Sequence, residues 1–288
     1  MTSTEPQPPR LDVMSLKGGV GKTTLAYALA WAQATRSRRP VLLIDADLTG
    51  TCLGDLLDPV VAWHLEANLA HLLCEPPDTL PEQLAPECLP VYVPGRAGGE
   101  RDGERATNAP GAAVVFCPSH AYSTQPTRVD RAVLEALIGQ ETAGAWVRHV
   151  LDRLIAATHQ TLGPLGGVVV DHSPGLAALQ SAVLGDIAQH PAGRMVAMIT
   201  TCDRVDLAMC KAASTTHHDE LKNAAWIVNR APADWDPTCH ARENIAADWH
   251  TRAHRVPHLD AVQTAYRSSA LTAGLLDLAS LCEPLFGA

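Results

Sequence analysis

Eight consecutive residues, Lys17-Gly18-Gly19-Val20-Gly21-Lys22-Thr23-Thr24, restrict this chain more than any other stretch. Three glycines within four positions let the backbone turn with its amides facing inward and no Cβ in the way, which makes a nest suited to phosphate oxygens. The mostly apolar run Leu11 to Met14 leads in, and Leu25-Ala26-Tyr27-Ala28-Leu29-Ala30-Trp31 leads out. The first reads as a strand and the second, built of good helix formers, as a helix. The glycines therefore sit where a strand hands over to a helix N-terminus, whose unpaired amides and partial positive charge attract an anion. Lys22 can then reach terminal phosphates, and the Thr23 hydroxyl is placed to ligate a magnesium ion that the phosphates share. A Gly-rich turn that merely ends in Lys-Thr is the bland alternative; eight specified positions and both flanks speak against it.

A chain of 288 residues can close one large α/β domain around a full core. Its 47% hydrophobic and 18% charged residues are ordinary globular values, and with only 4% aromatics the core must rest on Leu, Val, Ile and Ala. A net charge of −9 argues against a surface built wholly to hold nucleic acid, although a local basic patch is compatible with it. The eight cysteines include no Cys-x-x-Cys pair, which suggests neither a disulfide framework nor a metal-cluster knuckle and fits a reducing cytoplasm. Residues 1–10 are polar and proline-rich and read as a disordered leader; residues 11–288 read as a single domain. No stretch approaches the roughly 20 apolar residues that span a bilayer.

Further along, Val41-Leu42-Leu43-Ile44 is a short apolar run of the kind buried on both faces of a parallel sheet, and it ends in Asp45-Ala46-Asp47. Open α/β sheets place their ligands at such carboxyl ends, where one carboxylate could hold a metal-bound water and the other orient an attacking water. A helix cap or surface turn explains the same spacing equally well. A helix is expected around Leu65 to Leu73, followed by a proline-rich connector; the segment 94–111, with five glycines and six charges, reads as a flexible surface loop. Strands are expected at Ala112 to Cys117, Gly167 to Asp171, Arg194 to Thr201 and Ala224 to Val228, the last ending at Asn229-Arg230. Helices are expected within Val129 to Leu162, at Asp203 to Thr216 and at Leu271 to about Cys282. Asp171 stands at a strand end like Asp45, followed by His172-Ser173-Pro174-Gly175. An acidic residue there can bind magnesium through water, and Gly175 can let a backbone amide meet a γ-phosphate. His172 reads as a hydrogen-bonding filler rather than a general base. Asn229 can pair with an adenine edge, or be an ordinary turn asparagine. Cys239, His240, His250, His254 and His258 are metal-like residue types, but no tight ligand pair anchors them, and Pro257 breaks the helix that would align the histidines. Strands alternating with helices imply a mostly parallel twisted sheet flanked by helices on both faces.

The first motif departs from the strict Walker A spacing, since only Gly19 and Val20 separate Gly18 from Gly21. Lys-Gly-Gly-x-Gly-Lys-Thr-Thr instead resembles the deviant Walker A motif of the ParA/MinD group of P-loop ATPases, the SIMIBI class, in which the first lysine is the signature lysine. Asp45-Ala46-Asp47 resembles that group's switch I, with Leu48 where proline is common. Asp171 to Gly175 resembles its Walker B and switch II segment, usually Asp-Thr/Cys-Pro-Pro/Ala-Gly, from which His172 and Ser173 depart. The resemblance implies ATP and Mg2+ as ligands. Gly18, Gly19, Val20, Gly21, Lys22, Thr23, Thr24 and Gly175 would bind the phosphates, while Asn229, Arg230 and a loop at Pro257 would bind the base. Thr23, Asp45 and Asp171 would serve the metal, and Lys22 and Asp47 the hydrolysis. Lys17 would cross to the nucleotide of a facing subunit in an ATP-dependent homodimer.

Such proteins are usually slow, partner-stimulated switches. A protein activator is therefore expected, and the cargo is open. A ParA-like partition ATPase would hold non-specific DNA through a basic patch, with Arg230, Arg242, Arg252, Arg255 and Arg267 as candidates. A MinD-like membrane switch is disfavoured, because the C-terminal helix carries Asp277 and Glu283 rather than basic residues. A metal-cluster carrier is disfavoured by the cysteine spacing. A nucleotide-binding scaffold of a larger assembly, with little or no turnover, is the alternative.

Overall fold

The computed structural model describes residues 7–47, 69, 73, 91–92, 113–117, 119, 143–175, 178–232, 234–235, 253–257 and 271–287. The leader's first six residues, most of the helix expected near Leu65, the 94–111 loop and residues 129–142 lie outside them, as do Cys239, His240, His250, His258, Arg242, Arg252 and Arg267. The described strands are β1 (Arg10–Ser15), β2 (Val41–Ala46), β3 (Val91–Tyr92), β4 (Val114–Cys117), β5 (Gly167–His172), β6 (Arg194–Thr201), β7 (Ala225–Ala231) and β8 (Ala253–Pro257). They form one sheet in the order β3-β4-β2-β5-β1-β6-β7-β8. From β4 to β8 every pairing is parallel, and β3 adds an antiparallel edge of two residues.

Helices cover both faces. α1 (Lys22–Ser37) and α6 (Leu271–Phe286) pack together over one face, burying Leu25, Leu29, Leu278 and Leu285 against Leu11, Val13, Leu43 and Val169. α2 (Ala143–Leu162), α3 (Ala178–Gln189), α4 (Arg204–Thr216) and the single turn α5 (His218–Leu221) lie over the other, around Met14, Leu42, Val170 and Met198. Successive strand residues alternate between these two cores, so central strands read as unbroken apolar runs. α1 is buried nearly all round, with 11 of its 16 residues in the interior.

Most expected elements stand within a residue or two of their places. Asp203 is the N-cap of α4 rather than its first residue; its side chain accepts the Val205 amide at 2.8 Å. Two expectations need correction. The stretch before Pro257 is neither helix nor loop but the edge strand β8, where a terminal proline lacks no ladder hydrogen bond that the sheet needs. β3 was not expected at all, because two residues carry no periodicity.

Candidate functional site

The parallel order brings the carboxyl ends of β1, β2, β5, β6 and β7 to one edge, and the glycine turn after β1 lies along it. Gly19 (φ 80) and Gly21 (φ 85) take the left-handed conformation that their residue type permits. A Cβ on Gly21 would lie 2.3 Å from the Asn229 amide nitrogen, so at that position both the backbone angle and the space call for glycine. Gly21 is also the N-cap of α1. It offers no side chain to the first-turn amides, and no acidic residue stands in that turn. The helix N-terminus is thus left to bind an anion.

Lys22 is buried, and its Nζ donates to Asp171 Oδ1 at 2.5 Å and toward the Thr23 hydroxyl at 3.4 Å. Burial pushes the Asp171 carboxyl above the usual carboxylate range, against the pull of Lys22 and a hydrogen bond from Thr23. Its other oxygen, Oδ2, is buried with no hydrogen-bond partner. A hard cation that takes oxygen ligands fits that atom, and magnesium needs only one or two protein oxygens when phosphates supply the rest. Among the described residues no group of three or more His, Cys, Asp or Glu forms a closed metal cage. Of Cys239, His240, His250, His254 and His258 only His254 is among the described residues; it sits on β8 with its pKa lowered by burial.

Across the sheet, β2 pairs with β5 so that Asp45 lies opposite Asp171 and Ala46 opposite His172. Asp45 is fully buried; its Oδ1 accepts the Asp47 amide at 3.0 Å and its Oδ2 the Ser119 hydroxyl at 3.4 Å. Asp47, also buried, accepts the Ser173 hydroxyl at 3.0 Å. Gly175 (φ 91) donates its amide to the Ser15 carbonyl, 2.7 Å away at the start of the glycine turn.

Lys17 points away from its own turn. Half exposed, its Nζ donates to Asp206 Oδ1 at 2.8 Å in the first turn of α4, while Asp206 Oδ2 accepts the Thr201 hydroxyl at 2.6 Å. Burial opposes ionisation of Asp206, but the hydrogen bonds from Lys17 and Thr201 outweigh it and hold the carboxyl below its ordinary value. The same pair raises the pKa of Lys17.

Asn229 lies inside β7, not beyond it. Its Nδ2 donates to the Val20 carbonyl at 2.8 Å, and its Oδ1 accepts the Arg230 amide at 3.0 Å. Arg230 adopts a left-handed backbone (φ 56) where the β7–β8 register slips between Val228 and Ala231, so Asn229-Arg230 forms a bulge at the strand's end. Pro257 pairs with Ala231 directly after it. The edge thus gathers the turn, Asp45, Asp47, Asp171, Gly175 and Asn229, and keeps Lys17 aside.

Sequence reasoning missed a buried ionic network under β1 and β5. Asp12 Oδ1 accepts Arg10 Nη2 at 2.6 Å and meets His172 Nε2 at 2.8 Å, and Arg194 links onward to Asp186 at 2.9 Å. Burial alone would raise the Asp12 pKa, but Arg10, His172 and Arg194 hold it well below the carboxylate range. His172 is therefore a strut, as its expected filler role implies. Only a charge inside the apolar run Leu11 to Met14 hinted at the network.

Residues 12–240 match the family model described as the CobQ/CobB/MinD/ParA nucleotide binding domain. No curated protein sequence matches the chain. Among solved structures, a ParA family ATPase from Chlorobium tepidum TLS is similar at 16% identity and TM-score 0.53, covering 97% of each chain. The septum site-determining protein MinD of Pyrococcus horikoshii OT3, complexed with Mg-ADP, is similar at 16% identity and TM-score 0.55, covering 95% of each. Cobyrinic acid a,c-diamide synthase from Mycobacterium smegmatis, with a bound ATP analogue and magnesium, is similar at 18% identity and TM-score 0.54, covering 96% of this chain and 95% of that one. At these identities the likeness is one of fold.

Proposed function

Because the chain belongs to the CobQ/CobB/MinD/ParA nucleotide-binding domain family, we propose that it is a magnesium-dependent ATPase that works as an ATP-driven dimerisation switch in partitioning or positioning a cargo. The observation that carries the reading is the buried contact between Lys22 and Asp171, which leaves the second Asp171 oxygen without a hydrogen-bond partner. In it the turn's amides from Gly19 to Thr24 and the Lys22 ammonium take the phosphates. Thr23 and Asp171 hold the metal, which neutralises charge on the transferring group when bound. Asp45, both oxygens already accepting, supports that centre from β2. Asp47 accepts a hydrogen bond from the attacking water and sets it in line with the γ-phosphate. Asn229, the Arg230 bulge and Pro257 flank the base, Asn229 with the second N–H of its amide. Lys17 leaves Asp206 to reach the nucleotide of a facing subunit.

Light scattering with ATP and with ADP, alongside radiolabelled phosphate release, tests the proposal on wild type, Lys17→Ala and Asp47→Ala. ATP should give a dimer and ADP a monomer, loss of Lys17 should stop turnover, and loss of Asp47 should trap the dimer. Binding without turnover, even with candidate activators, favours the regulatory scaffold instead. Among the described residues no helix is long and apolar enough to cross a membrane. Of the basic-patch candidates, Arg230 and Arg255 are described and both are exposed near the β7–β8 edge. ATP-dependent, salt-sensitive retention on plain duplex DNA would identify DNA as the partner.

A further inference from the structure

Ser173 stands where the resembled switch II pattern carries proline, a residue with no side-chain donor. Here its hydroxyl is spent on Asp47 Oδ1 at 3.0 Å, with both residues buried. We propose that Ser173 is a positioning residue for Asp47, fixing the carboxylate that orients water and tying the ends of β2 and β5 into one unit. The inference rests on the ATPase reading above.

The placement follows from the sheet. The β2–β5 register runs through Asp45↔Asp171 and Ala46↔His172, so Asp47 and Ser173 are the next facing pair beyond the ladder. Contacts that hold Asp47 include its amide to Asp45 Oδ1 at 3.0 Å and its side chain to Ser173. A hydroxyl bonded to an ionised acceptor in a water-poor site is stronger than a neutral pair. Ser173 itself cannot drift, because its neighbours are anchored on either side. His172 is tied to Asp12 at 2.8 Å, and the Gly175 amide to the Ser15 carbonyl at 2.7 Å.

The test measures kcat and KM for phosphate release from Mg-ATP, and nucleotide affinity separately with a fluorescent ATP analogue, in Ser173→Ala, Ser173→Cys, Ser173→Thr and each combined with Asp47→Ala. Losing one charge-assisted hydrogen bond should lower kcat about tenfold to a hundredfold in Ser173→Ala, with affinity and KM unchanged. Ser173→Cys, a weaker donor that keeps the side chain's bulk, should fall between and serves if the alanine variant fails to fold. Ser173→Thr should restore turnover, and in the Asp47→Ala background the serine changes should have no further effect. Unchanged kcat in the alanine or cysteine variant, or an equal loss of nucleotide affinity, overturns the assignment alone. A wild type that binds nucleotide but releases no phosphate overturns the ATPase reading, and this inference with it.

Discussion

Lys22 and Asp171 illustrate how residues proposed for ligand chemistry also hold the fold together. Both are buried and each is the other's charge partner, so removing one leaves an uncompensated ion in a dry site. Lys22→Ala should abolish nucleotide binding and lower unfolding stability by about 3–5 kcal/mol, read from the urea midpoint; an unchanged midpoint refutes the pairing. Asp12 gives a pH-dependent case. Its folded pKa lies below the unfolded value of 3.8, so its contribution is complete above that pH and fades as pH falls beneath it. Asp12→Asn should therefore be markedly less stable than wild type at pH 7, with the gap closing in acid below about pH 4; a gap of constant size would contradict it. The glycine turn was legible from its own spacing; Asp45, Asp47, Asp171 and Asn229 could be placed at strand ends, but their expected roles came from the family resemblance rather than from spacing. Asp12, Asp206 and Ser119 were not, because each becomes meaningful only through a partner far away in the chain.

At the scale of elements, strands buried on both faces announced themselves as apolar runs, whereas β8 (Ala-His-Arg-Val-Pro) has no run and was hidden among histidines that suggested a helix. Helix packing leaves its own marks. Gly144 lets α2 approach α3 so closely that a Cβ there would lie 2.3 Å from the Ala182 carbonyl oxygen. Gly144→Ala should force the two helices apart at a cost of about 1–3 kcal/mol, visible as a lowered Tm; a neutral or stabilised variant would show that the contact relaxes. α6 closes the α1 face with Leu278, Leu281 and Leu285. Truncation before Leu271 should expose that face and yield aggregated protein, where a monomeric, nucleotide-competent product would disprove its role.

For the whole molecule, the order of strands decides what can meet: residues from 15 to 257 reach one edge because every long strand there runs the same way. Lys17 belongs to this scale, since its reading needs a second subunit. Asp206→Asn should loosen its hold and let ATP assemble dimers at several-fold lower protein concentration, measured by light scattering; an unchanged threshold would show that this ion pair does not restrain association. The same logic extends to three of the donors in the proposed nucleotide site. Lys22 leans on Asp171, the Gly175 amide on Ser15 and Lys17 on Asp206, so ligand entry is a substitution rather than a capture. On the proposed reading, each of these donors exchanges one acceptor for another, so the net gain is smaller than the new contact alone. Emptied of ligand, such a site falls back on partners the chain itself supplies.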